Sequence, residues 1–303
     1  MSAPSGVCPV VWLNGGFGAA ADATVSLFDR GFLMADGIFE TFYATKGAVI
    51  ELDRHLARLA SSAAYMRLRG LPASPVLAAA IRELLARNGL SGPTGGEASV
   101  RLTISRGVSP DGPPTVAIFA RQLTTAQIEK RSSGVLGFVL PFTRGGAARD
   151  LTTHKTLAYL ASSLGQILLA ERTADPRAEG FFKDEDGSLL EGTASNLFIV
   201  EGGALVTPPL SQGILPGTSR AVVLLLAREA GREVREERVD EARLRAADEV
   251  FVTSSTIRLA PVVAFEGEPV GGGALGPVAR DLQARFEAHI DGLVAAERAA
   301  ARA

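Results

Sequence analysis

Cysteine is nearly absent from this sequence, since Cys8 is the only one in 303 residues. A lone cysteine cannot form an internal disulfide, and it excludes a zinc site built from several cysteines. Long apolar runs are lacking too, because no stretch approaches the ~20 apolar residues of a membrane-spanning helix. Residues 1–10 lack the basic and apolar segments of a signal peptide. We therefore expect a cytoplasmic protein with no bound metal and no membrane partner.

Excess charge of either sign is also lacking. The formal net charge is −2 at pH 7, and the isoelectric point is about 6.0. Proteins that bind nucleic acid or an anionic membrane usually carry a basic patch, so we expect neither partner. A small, neutral or anionic metabolite suits this composition better.

The length and the order of the predicted elements indicate two domains. A chain of 303 residues is about the size at which one hydrophobic core divides. Strand and helix patterns are mixed without regular βαβ alternation, which predicts an α+β fold rather than one doubly wound sheet. The polar stretch 122–134 is the best candidate for a linker. We predict a small α/β domain over residues 1–121 and a larger domain over residues 135–303.

Apolar periodicity and turn residues locate the individual elements. Strands are predicted at residues 10–13, 48–52, 99–105, 115–120, 135–140, 180–183, 194–200, 204–207 and 249–253. Helices are predicted at about residues 53–68, 76–86, 158–172, 219–230 and 277–300. Asp53 is the predicted N-cap of the first helix.

Lysine is scarce as well, because only four of the 31 Lys and Arg residues are lysines. Lys46, Lys130 and Lys183 lie among glycine, serine or acidic residues that indicate loops. Lys155 instead precedes an apolar helical pattern, and the positive end of a helix dipole disfavours an ammonium group. A lysine that loses its proton readily suits a Schiff-base enzyme. This segment alone favours a simpler alternative, in which the lysine stem lies along a helix edge.

A Schiff-base lysine points to pyridoxal phosphate, which needs an acid beside its ring nitrogen and an anchor for its phosphate. Glu191 ends an apolar strand just before a glycine turn. A buried carboxylate there is unfavourable unless it has a cationic partner, such as a protonated pyridine. The alternative is a solvent-facing glutamate in a hairpin turn.

Two groups of hydroxyl residues are candidates for the phosphate site. The Pro-Gly turn at residues 215–217 leads Thr218 and Ser219 into a helix N-terminus, where backbone N–H groups and the helix dipole favour an anion. Ordinary N-capping explains the same residues equally simply. The second group, residues 253–256, follows an apolar strand and is placed to close over the phosphate. Arg58 supplies a charged fork for its oxygens, with a solvated helix arginine as the alternative.

Together these segments resemble the class IV, or fold-type IV, pyridoxal-phosphate-dependent aminotransferase family. That family includes branched-chain and D-amino-acid aminotransferases and aminodeoxychorismate lyase. The likeness covers nearly the whole chain. It rests on motifs in the family's order, which are Asp29-Arg30-Gly31-Phe32, Asp36-Gly37-Ile38-Phe39-Glu40-Thr41, His55-Leu56-Ala57-Arg58-Leu59, His154-Lys155-Thr156-Leu157, Glu191-Gly192-Thr193-Ala194-Ser195-Asn196-Leu197-Phe198, Leu215-Pro216-Gly217-Thr218-Ser219-Arg220 and Glu249-Val250-Phe251-Val252-Thr253-Ser254.

The resemblance implies a small N-terminal α/β domain, a larger C-terminal pseudo-barrel domain and a homodimer. It implies that Lys155 forms the Schiff base, that Glu191 pairs with the ring nitrogen and that Arg58 holds the phosphate. Tyr159 is implied to approach the ring hydroxyl. The remaining phosphate ligands implied by the resemblance are Thr218, Ser219, Ser254 and Ser255.

The motifs do not name the substrate. D-Amino-acid aminotransferases resemble the chain around Arg106, but their Arg-x-His carboxylate trap is replaced here by Asp111 and Pro113. The D-amino-acid aminotransferases also have a tyrosine at the position of Phe39. The motifs Asp-Gly-x-Phe-Glu-Thr and His-Lys-Thr-Leu are most similar to those of aminodeoxychorismate-lyase-like members and their transaminase relatives. Phe39, Arg106 and Arg258 are the candidate substrate residues, although Arg258 suits a surface role equally well.

We therefore expect an aminotransferase that moves an amino group between an amino acid or amine and a 2-keto acid. Lys155 is expected to form the Schiff base and to carry the proton. One alternative is elimination, which gives pyruvate and 4-aminobenzoate without a keto-acid acceptor. Another is an inactive cofactor-binding protein of the same fold, but the retention of Lys155 together with Glu191 argues against it.

Overall fold

The computed structural model describes residues 6–92, 94–146 and 149–300. The chain divides into two compact units. The first contains Met1–Leu123, His154–Ala158 and Ile290–Ala303, and the second contains Thr124–Thr153 and Tyr159–His289. Each unit combines a β-sheet with α-helices, which confirms the predicted α+β class.

An antiparallel sheet forms the centre of the first unit. Its strands are β1 (Val10–Leu13), β2 (Gly16–Ala19), β3 (Gly37–Thr45), β4 (Ala48–Val49), β5 (Ala98–Ser105) and β6 (Thr115–Gln122). They lie in the order β2-β1-β6-β5-β3-β4. Three helices lie in the same part of the chain, namely α1 (Arg30–Met34), α2 (Leu52–Tyr65) and α3 (Ser74–Arg87).

Helices α2 and α3 pack their apolar faces against this sheet. The buried residues recur at three- and four-residue spacing, as an amphipathic helix requires. They are Leu52, Leu56, Leu59 and Ala63 in α2 and Leu77, Ile81, Leu84 and Leu85 in α3. They join alternate residues of β5 in one core, where burial of each large side chain contributes roughly 1.5–3 kcal/mol.

Two details predicted for this unit are wrong. The N-cap of α2 is Glu51, which has a left-handed φ of 55°, so Asp53 lies in the first turn instead of capping the helix. The strand expected at residues 48–52 ends at Val49, because the chain turns into α2 at that point.

The sheet of the second unit closes on itself. Its strands are β7 (Val135–Thr143), β8 (Ala178–Lys183), β9 (Leu189–Gly192), β10 (Asn196–Glu201), β11 (Ala204–Thr207), β12 (Val234–Glu236), β13 (Glu249–Ser254), β14 (Arg258–Phe265) and β15 (Glu268–Pro269). They run in the order β12-β11-β10-β13-β14-β7-β8-β9, with β15 on β14. A pairing between Glu191 of β9 and Asn196 of β10 completes a ring of strands. This ring confirms the predicted pseudo-barrel.

Helices accompany the barrel along the chain. They are α4 (Thr125–Ser133), α5 (Arg149–Thr152), α6 (Leu160–Arg172), α7 (Thr218–Glu229), α8 (Glu241–Ala246) and α9 (Pro277–Ala300), with 3-10 turns at Leu210–Gln212 and Gly271–Gly273. Helix α4 lies within the stretch 122–134 that was predicted to be a linker, and Thr124 and Gln127 cap it reciprocally. Among the described residues, no helix is both long and apolar enough to span a bilayer.

The N-terminus of α9 is capped by a carboxylate from β13. Oε1 of Glu249 accepts a hydrogen bond from the Val278 amide at 2.8 Å, and Oε2 accepts one from the Ala279 amide at 2.7 Å. Glu249 is buried, so these two bonds satisfy first-turn donors away from water.

We expect Glu249→Gln to lower the free energy of unfolding by about 1–3 kcal/mol, because an amide nitrogen then faces a buried N–H donor. Urea denaturation measures the loss. The control is Glu268→Gln, at an exposed position of β15. Equal stability of the two variants would show that the cap contributes nothing.

Candidate active site

Lys155 lies in an extended segment attached to the start of β3. The Phe39 amide donates to the Lys155 carbonyl at 2.9 Å. The Leu157 amide donates to the Gly37 carbonyl, also at 2.9 Å. Gly37 permits this approach, because a Cβ there would lie 2.8 Å from Cδ1 of Leu157. Helix α6 begins only after its N-cap Tyr159, so Lys155 lies outside the first turn, where a helix dipole acts.

The side chain of Lys155 contacts an aromatic ring. Its Nζ lies 4.6 Å from the centroid of the buried Phe39 ring, which is a cation–π contact. Cζ of Arg101 lies 3.5 Å from the same centroid. The preceding residue, His154, stacks on Tyr65 with ring centroids 4.0 Å apart. The aromatic contacts therefore set the position of the lysine and of the residue before it.

Arg58 is held by a buried carboxylate of β3. Glu40 accepts hydrogen bonds from Nε and Nη2 of Arg58 at 2.8 and 2.7 Å, and it lies 2.7 Å from Nδ1 of His55. Burial alone would raise the pKa of Glu40. The charge and hydrogen bonds of Arg58, together with the hydrogen bond to His55, instead lower this pKa to about 2. Burial lowers the pKa of His55, so the neutral ring donates its Nδ1 proton to Glu40. Arg58 is therefore a fixed guanidinium and not the solvated arginine of the alternative.

Two arginines predicted to be near the substrate pair with carboxylates of their own units. Arg106 donates from Nε and Nη2 to Asp36 at 2.8 and 3.0 Å, and from Nη2 to the Met66 carbonyl at 2.8 Å. Arg258 is buried with a left-handed φ of 65°, and its guanidinium pairs with Glu287. Substrate contact by either arginine stays a prediction.

Glu191 is the centre of a hydrogen-bond network in the second unit. Its Oε2 accepts hydrogen bonds from the Asn196 side chain and the Leu215 amide, both at 3.0 Å. Its Oε1 pairs with the guanidinium of Arg144. The carboxylate is buried, so the alternative of a solvent-facing turn residue is wrong.

The predicted phosphate helix, α7, begins at Thr218. Its N-cap is Gly217, which has no side chain to cap the helix. Thr218 and Ser219 lie in the first turn and are buried. The N-capping alternative is therefore wrong, and the first-turn N–H groups and two hydroxyls lie at the positive end of the helix.

The end of β13 presents the second group of hydroxyls. Within the described residues, the buried Oγ1 of Thr253 has no hydrogen-bond partner. Ser254 accepts a hydrogen bond from the Ile257 amide at 3.3 Å, and both Ser254 and Ser255 are half-buried. An unsatisfied hydroxyl beside two accessible ones suits a site for an anion.

Tyr159 lies just before α6 in the same unit. Its hydroxyl donates to the Thr193 carbonyl at 3.2 Å. Burial raises the pKa of this hydroxyl, and the charge of Glu191 raises it further. Tyr159 therefore keeps its proton near neutral pH and acts as a donor.

Several residues of these networks were not predicted from the sequence, namely Glu40, Arg101, Arg144 and Asn196. A usable signal existed for Glu40 and Arg101, because each is a charged residue inside an otherwise apolar or alternating strand. Arg144 follows β7 in a Gly-containing loop and gives no such signal.

The Glu40 pair predicts acid-sensitive stability. Since the pKa of Glu40 is about 2 in the fold and ordinarily 4.5, the pair stabilises the fold above pH 4.5. This contribution is lost as the pH falls towards 2. The free energy of unfolding, measured in urea at several pH values, should fall more steeply for the wild type than for Glu40→Gln over this range. Exposed Glu268→Gln should follow the wild type, and parallel curves for all three proteins would contradict the prediction.

Comparison with known proteins places the chain in a family. A family model described as Amino-transferase class IV matches residues 37–265. The putative branched-chain-amino-acid aminotransferase of Methanocaldococcus jannaschii is 33% identical over 284 residues, which cover 91% of this chain and 95% of that protein. The aminodeoxychorismate lyase of Bacillus subtilis is 31% identical over 294 residues, which cover 94% and 96%.

Solved structures show the same fold. The branched-chain amino acid aminotransferase of Escherichia coli matches with a TM-score of 0.83 and 28% identity, over 93% of this chain and 94% of that one. The matches include another branched-chain amino acid aminotransferase, solved with pyridoxamine 5'-phosphate. The fold is therefore that of the fold-type IV enzymes, whose cofactor is pyridoxal phosphate. The chain belongs to the amino-transferase class IV family of pyridoxal-phosphate-dependent enzymes.

Proposed function

We propose that this enzyme transfers an amino group between an amino acid or amine and a 2-keto acid, with Lys155 as the Schiff-base residue. The attachment of Lys155 to β3 carries the proposal. Its carbonyl is hydrogen-bonded to Phe39, and its Nζ rests on the Phe39 ring. A nucleophile needs a fixed position, and a lysine held at both backbone and side chain has one.

The described residues suit pyridoxal phosphate. When bound, this cofactor supplies an aldehyde that bonds to amines and a ring that withdraws electrons from the substrate carbon. The buried carboxylate of Glu191 suits a protonated ring nitrogen, and the N-terminus of α7, with glycine as its N-cap, suits a phosphate. The phosphate ligands that we propose are Arg58, Thr218, Ser219, Ser254 and Ser255.

Three side chains are proposed to transfer or hold protons during the reaction. Lys155 would accept the proton of the substrate carbon at its Nζ and deliver it to the cofactor carbon that carried the aldehyde. Glu191, which its three donors hold in place, would keep a proton on the ring nitrogen. Tyr159, whose raised pKa keeps it protonated, would donate its one O–H to the ring hydroxyl in place of the Thr193 carbonyl.

The purified enzyme should show visible absorption that borohydride abolishes. Lys155→Ala should bind the cofactor only noncovalently and lose at least ~1000-fold in turnover, because both the bond and the proton carrier are lost. Lys183→Ala is the control, since Lys183 pairs with Glu241 near the surface. Unchanged turnover in Lys155→Ala would remove that residue from its role.

Elimination is a second candidate, which the similarity to the Bacillus subtilis lyase supports. It would release pyruvate and 4-aminobenzoate from aminodeoxychorismate. D- and L-amino acids, aromatic amines and aminodeoxychorismate should be screened as donors, with α-ketoglutarate or pyruvate as acceptor. Turnover that requires a keto acid supports transamination, whereas turnover of aminodeoxychorismate without one supports elimination.

A homodimer is part of this proposal. Leu160, Leu164 and Ile167 form an apolar stripe on α6 that is exposed by 79%, 42% and 54%. In the first unit, residues 27–34 expose further large apolar side chains, including Phe28 and Phe32. Exposed apolar patches mark interaction surfaces, and identical chains usually pair through the same patch. The cytoplasmic location predicted from the sequence stays part of the proposal.

Leu160→Glu should weaken the dimer at least tenfold, because a charge would be buried at the contact. Sedimentation equilibrium measures the dissociation constant. Val76→Glu places the same charge at an exposed apolar position of α3 and is the matched control. A monomeric wild type, or equal constants for all three proteins, would refute this surface.

A further inference from the structure

Asn196 connects the elements of the second unit that carry the proposed cofactor residues. Its backbone pairs with Glu191 of β9 and with Thr253 of β13, the strand that leads to Ser254. Its side-chain nitrogen donates to Oε2 of Glu191 and to the Leu215 carbonyl, both at 3.0 Å. Asn196 is only 4% exposed, so water cannot replace these bonds.

The turn before α7 fits closely against Asn196. The Leu215 amide donates to the same Glu191 oxygen at 3.0 Å, which closes a triangle of three residues. A Cβ at Gly217 would lie 2.0 Å from Oδ1 of Asn196, so only glycine lets the backbone of the turn come this close to the Asn196 side chain. Because Gly217 is also the N-cap of α7, the Asn196 side chain and the helix N-terminus fix each other's position.

We propose that Asn196 is a positioning residue that sets the separation between Glu191 and the N-terminus of α7. It thereby matches the site to both ends of pyridoxal phosphate. The inference rests on the proposed roles of Glu191, Thr218 and Ser219. The covalent bonds of the cofactor limit the distance between its ring nitrogen and its phosphate. If the protein group that binds one of them is displaced, the contact with the other is weakened as well. The turn at residues 215–217 belongs to no strand, so side-chain bonds hold it to Glu191.

The test compares the affinity of the apoenzyme for pyridoxal phosphate with its affinity for pyridoxal, which lacks the phosphate. Glu191→Gln should weaken both ligands by the same factor, because it acts on the ring. Ser219→Ala should weaken pyridoxal phosphate alone. Asn196→Ala should weaken pyridoxal about tenfold and pyridoxal phosphate by about tenfold more, because each end loses a buried hydrogen bond.

A second variant and a control separate positioning from general stability. Gly217→Ala disturbs the same contact from the turn and should give the same double loss. Asn88→Ala removes a comparable set of bonds, from Asn88 to the backbone of Val10 and Leu84. It should lower the melting temperature and leave both affinities unchanged. Circular dichroism verifies that each variant is folded.

The outcomes are distinct. Wild-type affinities in Asn196→Ala, or equal losses for the two ligands, would overturn the positioning role. If Asn196→Ala does not fold, the same criteria apply to Gly217→Ala. A wild-type enzyme that forms no borohydride-sensitive adduct refutes the proposed function itself, and the role of Asn196 with it. That result is recognisable because it needs no variant.

Discussion

A buried carboxylate with a full set of donors is the interaction on which the second unit depends. Burying an ion costs roughly several kcal/mol unless its oxygens are satisfied. Glu191 receives donors from Asn196, Leu215 and Arg144. These belong to β10, the turn before α7 and the loop after β7. Since β9 pairs with β10 at Glu191 and Asn196, the pairing that closes the barrel also brings Asn196 to the carboxylate of Glu191.

The first unit applies the same principle on a single strand. Successive residues of a strand point to opposite faces. Phe39 therefore contacts Lys155 on one face, while Glu40 binds Arg58 and His55 on the other. Since Glu40 has no access to water, its charge requires Arg58 in one orientation. One short stretch of β3 thus positions both the amine of Lys155 and the guanidinium of Arg58.

Local sequence patterns predicted the elements that are buried on one side. Residues 10–13 and 204–207 were predicted as strands with the observed bounds of β1 and β11. Strand β3 was missed, because nearly all of its residues are buried and an apolar run has no alternation. Helix α4, within the stretch predicted to be a linker, was not predicted as a helix, because Arg131 is its only buried residue in the described chain and its composition is polar.

The sequence by itself determined the family and the kind of chemistry, because the proposed reactive residues, Lys155 and Glu191, must be particular residue types within particular motifs. It also marked the apolar stripe of α6 by its periodicity. Only the tertiary structure decided that this stripe faces outward, and which residues surround each reactive group. Arg144 is 47 residues from Glu191 along the chain. Strand pairing brings such residues to hydrogen-bond distance, and no local pattern records that approach.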